Sequence, residues 1–286
     1  MHQYSNSFNK VLVIGGGLMG GGIAQVIAQH GIPVVVIDRT KEDLERSKAR
    51  IEKMIIRLNG EEAVEGILRK ITFSTNIQDG KDCDLAIEAV PEILELKLDV
   101  FRTLDECLPS HAILASNTSS LSIAAMGNAT KRPEKVVGMH FFSPVPMMKL
   151  VEIVKSVNTS DETVEKIRAF GEKIGKKIIL AKDYPGFTVN RVLVPMMNEA
   201  AFLVMEGNDP AEIDQGMMLG TNHPIGPLKL ADSLGVDVLY HTCVSLYEGF
   251  NDSKYRPCPL LKRMVEAGHL GKKSGRGFYD YGGNQK

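Results

Sequence analysis

A histidine and a glutamate close the two ends of HFFSPVPMMKLVE, residues 140–152. An imidazole titrates close enough to neutral pH to take up or release a proton in either direction. A carboxylate bonded to one of its ring nitrogens fixes the tautomer and stabilises the charged ring, which directs the other nitrogen to a substrate hydroxyl. Pro144 and Pro146 interrupt the apolar run between His140 and Glu152. If VVGMH and KLVEIV are antiparallel strands paired symmetrically about Pro146, residue 140 lies directly opposite residue 152, with Cβ atoms about 4.5–5.5 Å apart. The same spacing also suits a core histidine beside an exposed strand glutamate, and both readings stand at this point.

A second group of residues could hold phosphates. GGGLMGGGIA contains six glycines, but only Gly15, Gly17 and Gly20, with Leu18 and Met19 between the last two, fit the spacing GxGxxG. The first would turn the chain tightly off a strand, and the second would let the backbone approach a pyrophosphate. The third would let a helix pack closely on the strand, while the free N–H groups at the helix start bind the phosphates. The motif follows the apolar KVLVI, and Asp38 ends PVVVID 23 residues after Gly15. That context points to a dinucleotide site in which Asp38 accepts hydrogen bonds from the adenosine ribose and repels a 2′-phosphate, favouring NAD over NADP. Arg39 argues the other way, and a purely structural turn with Asp38 capping the next helix is the alternative.

Three further features have both a structural and a chemical reading. SNTSSLSI, residues 116–123, supplies hydroxyls after a strand, where Ser119 or Ser120 could cap a helix beginning near Leu121 or face a ligand. Asn190, just past a Pro-Gly turn, could cap a helix or reach into a cleft. Arg46, Arg50, Lys53 and Arg57 share one face of a long helical pattern, opposite Leu44, Ile51, Ile55 and Leu58. Such a stripe is either a solvated face or an attraction for a substrate bearing several phosphates.

These residues require a scaffold, and the apolar pattern describes one. KVLVI, PVVVID, DLAIEAV, AILAS, KVVGM and LVEIV alternate with amphipathic segments, which predicts a largely parallel sheet covered on both faces. After IILAKDYPGF no clear strand follows, and apolar residues recur at helical spacing from Val189 to Val204. The domain boundary is therefore placed near Tyr184, Pro185 and Gly186. Pro195 is expected to kink the first helix beyond it or to mark its late start.

With 286 residues, two domains are expected; 24% charged residues and a net charge of −1 give no basic surplus for nucleic acid. The longest apolar run, residues 11–24, has 14 residues with six glycines, too short for a membrane span, which needs about 18. The start MHQYSNSFNK lacks the features of a secretory signal, so a cytoplasmic protein is expected. Cys83, Cys107, Cys243 and Cys258 form no CxxC spacing and read as reduced core residues, with no metal site.

Taken in order, IGGGLMGGGIA, ILASNTSSLSI, GMHFFSPVPMMKLVE, DYPGFTVNRVLVPMMNEA, NHPIGPL, DSKYRPCPLL and GKKSGRGFYDY resemble the L-3-hydroxyacyl-coenzyme A dehydrogenase family, its short bacterial members above all. The resemblance spans nearly the whole chain. It implies an α/β fold: a Rossmann-like doubly wound sheet with a helical hairpin inserted after the second strand (residues 1–185), then an all-α dimerisation and substrate domain (residues 186–286). It also implies reversible, NAD-dependent oxidation of a short (S)-3-hydroxyacyl-coenzyme A by a homodimer. His140 would be the acid–base residue and Glu152 its partner, with Ser119 and Asn190 holding the reacting oxygen and the substrate. Asp38 would hold the adenosine ribose, and Glu92, Lys97, Ser119 and Lys273 match positions at NAD or in its surroundings. Two departures stand out. Ser143 replaces the asparagine of the common HFFNP, and the serine and lysine that contact coenzyme A in some members have no secure counterpart, leaving Arg50 and Lys53 of the basic stripe as candidates. The ending GFYDYGGNQK suggests a free-standing enzyme rather than part of a larger oxidation assembly.

Overall fold

The computed structural model describes residues 8–282. The first seven residues and the last four, on which the expectations about a leader and about the ending partly rest, lie outside that range. The chain divides into two compact units between Asp183 and Tyr184.

The first unit is built on an eight-stranded sheet. Its strands are β1 (Val11–Ile14), β2 (Val34–Ile37), β3 (Ile71–Ser74), β4 (Leu85–Glu88), β5 (Ile113–Ser116), β6 (Val136–Phe141), β7 (Leu150–Lys155) and β8 (Lys177–Lys182), in the spatial order 3-2-1-4-5-6-7-8. All neighbours are parallel except β6 and β7, which are antiparallel. Every residue of β1, β2, β4 and β5 is buried, as a parallel sheet covered on both faces requires. The chain leaves β1 toward β2 and β3 and resumes on the other side at β4. The carboxyl ends of β1 and β4 therefore flank a topological switch point, where open α/β sheets bind ligands.

The helices of this unit are α1 (Leu18–Gln29), α2 (Lys41–Asn59), α3 (Ala63–Leu68), α4 (Leu94–Cys107), α5 (Ile123–Asn128) and α6 (Asp161–Lys173). The inserted hairpin is α2 and α3, 19 and 6 residues long, so nearly all of its surface comes from α2. Thr40 caps α2 by accepting from the Asp43 N–H, and Gly60, at φ 87°, ends it. Leu44, Ile51 and Ile55 turn inward to join the core, each burial contributing roughly 1.5–3 kcal/mol.

One local expectation is corrected and another is narrowed. Helix α5 begins at Ile123, and Ser122, not Ser119 or Ser120, is its cap, accepting from the Ala125 N–H. Pro195 does not mark a late start, because it lies inside the helix that opens the second unit.

That unit holds α7 (Val189–Met205), α8 (Pro210–Thr221), α9 (Pro227–Leu234), α10 (Val236–Phe250) and α11 (Pro259–Glu266). Met197, Ala201, Leu239, Cys243, Leu246 and Leu261 form its core. The buried Asp232 carboxylate accepts from the N–H groups of Phe278 and Tyr279 and the Tyr281 hydroxyl, tying residues 278–281 to α9. The four cysteines are free, and burial pushes the Cys83 and Cys243 thiols up to about 12. Among the described residues no helix is long and apolar enough to cross a membrane, and no three His, Cys, Asp or Glu side chains gather as a metal site.

Candidate active site

Strands β6 and β7 pair in the register that sets His140 directly opposite Glu152. The histidine Nδ1 lies 2.7 Å from Glu152 Oε2. Glu152 is fully buried and His140 is 6% exposed, so the glutamate is not the exposed strand residue of the bland reading. A carboxylate taken from water needs a partner, and a histidine against it gains a fixed tautomer and support for its charged form. The Phe142 ring, its centroid 4.5 Å from that of His140, covers one side of the imidazole.

The glycine turn stands at the carboxyl end of β1. Gly15 has φ 93°, and a Cβ there would lie 2.8 Å from the Ala89 carbonyl oxygen; a Cβ on Gly20 would come within 1.8 Å of the Gly15 oxygen. Both glycines are needed by the protein's own packing. Gly17 differs. It is the N-cap of α1, with φ −60°, and a Cβ would meet no protein atom within 4 Å. Neither φ nor packing requires glycine there, and the open space at the helix start is what close approach of a pyrophosphate would need. Leu18 is exposed, whereas Met19 packs on the core. Asp38, at the end of β2, accepts from the Gly16 N–H at 2.8 Å and the Arg39 N–H at 2.7 Å, which aims its carboxylate at the turn. These residues fit an NAD whose phosphates sit at α1 and whose ribose sits at Asp38.

A buried polar network occupies the carboxyl ends of β4 and β5. Lys97, 1% exposed, donates to Glu88 Oε1 at 2.6 Å and to the Val90 carbonyl at 3.1 Å, and lies 3.3 Å from Glu92 Oε2. Ser116 donates to the other oxygen of the fully buried Glu88. Glu92 Oε1 accepts from the Thr118 hydroxyl at 2.6 Å and from the Ser119 N–H at 2.8 Å and hydroxyl at 3.1 Å. Burial works to raise the Glu92 carboxyl, but the Lys97 charge and the bonds from Thr118 and Ser119 outweigh it and hold the group below its ordinary value. The expected Glu92, Lys97 and Ser119 thus come together, with Lys97 beneath the surface, acting through the two glutamates. Glu88, Ser116 and Asn117, whose side-chain oxygen accepts from the Phe141 N–H, were not singled out in the sequence. The signal for Glu88 was an acid closing the apolar strand LAIE.

The basic stripe divides. Arg46 is exposed and paired with Glu42 and Asp43. Arg50, Lys53 and Arg57 line a cavity of about 190 Å³ whose other walls include Gly17 at the start of α1, Gly21 and Gly22 on it, and Pro144 to Pro146. Arg50 donates to the Gly16 carbonyl at 3.1 Å, joining this cavity to the glycine turn. Ser143 is exposed on the same connection. Asn190 and Lys273 belong to the second unit. Asn190 is half-buried in the first turn of α7, and Lys273 forms an ion pair of 2.5 Å with Asp237.

A doubly wound sheet with this glycine turn at its switch point and an acid closing the second strand is the scaffold of a nicotinamide-dependent dehydrogenase. Residues 10–184 match the NAD-binding domain of 3-hydroxyacyl-CoA dehydrogenase and residues 186–281 match its C-terminal domain. The chain is 49% identical to a probable 3-hydroxybutyryl-CoA dehydrogenase of Deinococcus radiodurans over 95% of its length and all of the relative's. It is 46% identical to the 3-hydroxybutyryl-CoA dehydrogenase of Bradyrhizobium diazoefficiens, covering 96% of each chain. Among solved structures, the (S)-3-hydroxybutyryl-CoA dehydrogenase of Ralstonia eutropha superposes with a TM-score of 0.91 at 42% identity, covering 96% of this chain and 99% of that one. The chain belongs to the 3-hydroxyacyl-CoA dehydrogenase family and uses NAD.

Proposed function

We propose that the chain catalyses the reversible oxidation of a short (S)-3-hydroxyacyl-coenzyme A, 3-hydroxybutyryl-coenzyme A first among them, to the 3-oxoacyl thioester. The observation that carries the chemistry is the 2.7 Å contact between His140 Nδ1 and the buried Glu152. The names of the relatives support the substrate. His140 takes the proton of the 3-hydroxyl as the alcohol is oxidised, and returns it to the C3 oxygen in the reverse direction. Glu152 stabilises the ring while it is charged; such an acid–base group contributes roughly 10²- to 10⁴-fold in rate. Bound NAD supplies the acceptor for the hydride that leaves C3. Asn190, and Ser119 once its hydroxyl turns from Glu92, donate to the C3 oxygen, where negative charge grows during reduction. Asp38 and the N–H groups of the Gly15–Gly20 turn hold the cofactor, Glu92 and Lys97 shape its surroundings, and Ser143 and Lys273 are the further candidates for contact with it. Arg50 and Lys53 attract the phosphates of coenzyme A. Two copies pair through the second unit, a reading supported by the exposed Val192 and Leu219 on its helices.

The test follows NADH absorbance with acetoacetyl-coenzyme A and with free acetoacetate, which share one reacting ketone. The thioester is expected to be reduced with far higher kcat/KM, because binding energy from the coenzyme A portion positions C3 and truncation loses kcat as well as raising KM. Equal efficiency on the two, or a preference for a small hydroxy acid, overturns the assignment.

A further inference from the structure

The connection that joins His140 to Glu152 cannot hold its own shape. Its two prolines have no N–H to donate, and its internal backbone bonds run from the Met147 and Met148 N–H groups to the single Pro144 carbonyl. Carbonyls elsewhere in the segment need donors from outside it. Lys176, in the turn between α6 and β8, supplies them: its ammonium, on a side chain 6% exposed, donates to the Val145 carbonyl at 2.6 Å and the Met148 carbonyl at 2.8 Å. The neighbouring Lys177 N–H donates to the Lys149 carbonyl at 2.7 Å. Among the described residues Lys176 forms no ion pair with a carboxylate. A buried cation satisfied only by backbone is costly to keep, and burial pushes its amine below the ordinary lysine value. The held segment matters to the site because Pro144, Val145 and Pro146 are the wall of the cavity that faces Arg50 and Lys53. That wall is closely seated: a Cβ on Gly22 of α1 would come within 3.0 Å of the Val145 Cβ.

We propose that Lys176 is a positioning residue for the thioester substrate, its ammonium locking residues 144–149 in the form that walls the cavity between α1 and α2. The inference rests on the reading of that cavity as the place where acyl-coenzyme A binds. Lys176 bonds neither the cofactor turn nor the dyad side chains, so its removal falls more heavily on thioester binding than on NADH binding or turnover.

The experiment measures kcat and KM for acetoacetyl-coenzyme A, and Kd for NADH by fluorescence, in K176M, K176Q, P146G and the double variant K176M/P146G. K176M is expected to raise KM about tenfold, the scale of a lost charge-assisted hydrogen bond, with kcat within about threefold and NADH Kd within about twofold of the parent. K176Q, which keeps a neutral donor, falls between K176M and the parent, and it provides the reading should K176M not fold. P146G loosens the same wall, so the double variant is no worse than the poorer single one, the non-additivity of residues acting through one element. An unchanged KM in K176M or K176Q overturns the proposal. So does a parallel loss of NADH binding and kcat, which reduces Lys176 to a general structural part, or full additivity with P146G. If the parent itself shows no preference for the thioester over acetoacetate, the functional reading falls and takes the proposal with it. A parent with that preference and variants without a KM change remove Lys176 alone.

Discussion

At the scale of single residues the dyad is the sharpest target. His140→Gln is expected to lower kcat by 10²-fold or more while NADH binds as tightly as before, because the imidazole moves the proton and holds nothing of the cofactor. Glu152→Gln loses less, since the ring remains and only its charged form is destabilised. Kinetics and NADH titration of the two variants check this, and a kcat above about a tenth of the parent's in His140→Gln returns the residue to the core. Asp38→Ala is expected to weaken NAD and to relax the exclusion of NADP, because one carboxylate both accepts from the ribose hydroxyls and repels the phosphate. Steady-state kinetics with both cofactors decide it. His140 and Glu152 were legible in the sequence because strand pairing obeys simple arithmetic about a central turn. Glu88 was not, because its meaning depends on a lysine from α4 and a serine from β5 that no spacing brings together.

The glycine turn is a prediction at the scale of elements. Gly20→Ala places a methyl group 1.8 Å from the Gly15 oxygen, so α1 can no longer seat on β1, and the variant loses both stability and NAD. Gly17→Ala places its methyl group where no protein atom lies within 4 Å, at a φ that alanine adopts freely. Its thermal stability is expected to hold or rise slightly, by about 0.4–1 kcal/mol, while NADH Kd rises because the methyl intrudes on the pyrophosphate. A melting curve and an NADH titration separate the two effects, and a Gly17→Ala that binds NADH normally removes the pyrophosphate from this turn. The basic stripe belongs to the same scale. Arg50→Glu with Lys53→Glu is expected to raise KM for the thioester, more steeply at low salt, since screening weakens attraction across solvent. Measurement of KM at two ionic strengths checks it. The stripe was visible as a helix face, but its division was not: Arg46 spends its charge on Glu42 and Asp43 one turn away, while Arg50 reaches the carbonyl of Gly16 on another element.

For the whole molecule the expected assembly is a homodimer through the helical unit. Sedimentation is expected to give twice the chain's 31.4 kDa. Leu219→Lys, at a side chain 78% exposed, is expected to shift that mass toward the single chain without altering the melting of the first unit. A monomeric parent at micromolar concentration removes the pairing. Strands stop and helical spacing begins at the Pro-Gly turn, a change in period rather than in any one residue, and the two compact units divide between Asp183 and Tyr184.

The sequence by itself determined what depends on neighbours along the chain. The period of two against the period of 3.6 set the order of strands and helices, one register of the glycines set the turn, and the symmetric spacing about Pro146 set which residue faces Glu152. Tertiary structure alone decided what depends on groups distant in sequence. Ser122 rather than Ser119 caps α5, because its hydroxyl oxygen is the one placed to accept from the Ala125 N–H, whereas Ser119 is held against Glu92 from another element. Lys97 lies under the site rather than on it, because Glu88 neutralises it there. Lys176, an unremarkable charge in a lysine-rich stretch, is drawn inward because a proline-broken segment 28 to 31 residues away leaves carbonyls that must be bonded. Burial makes such polar groups find partners wherever the fold brings them, and that demand has no periodicity a sequence can display.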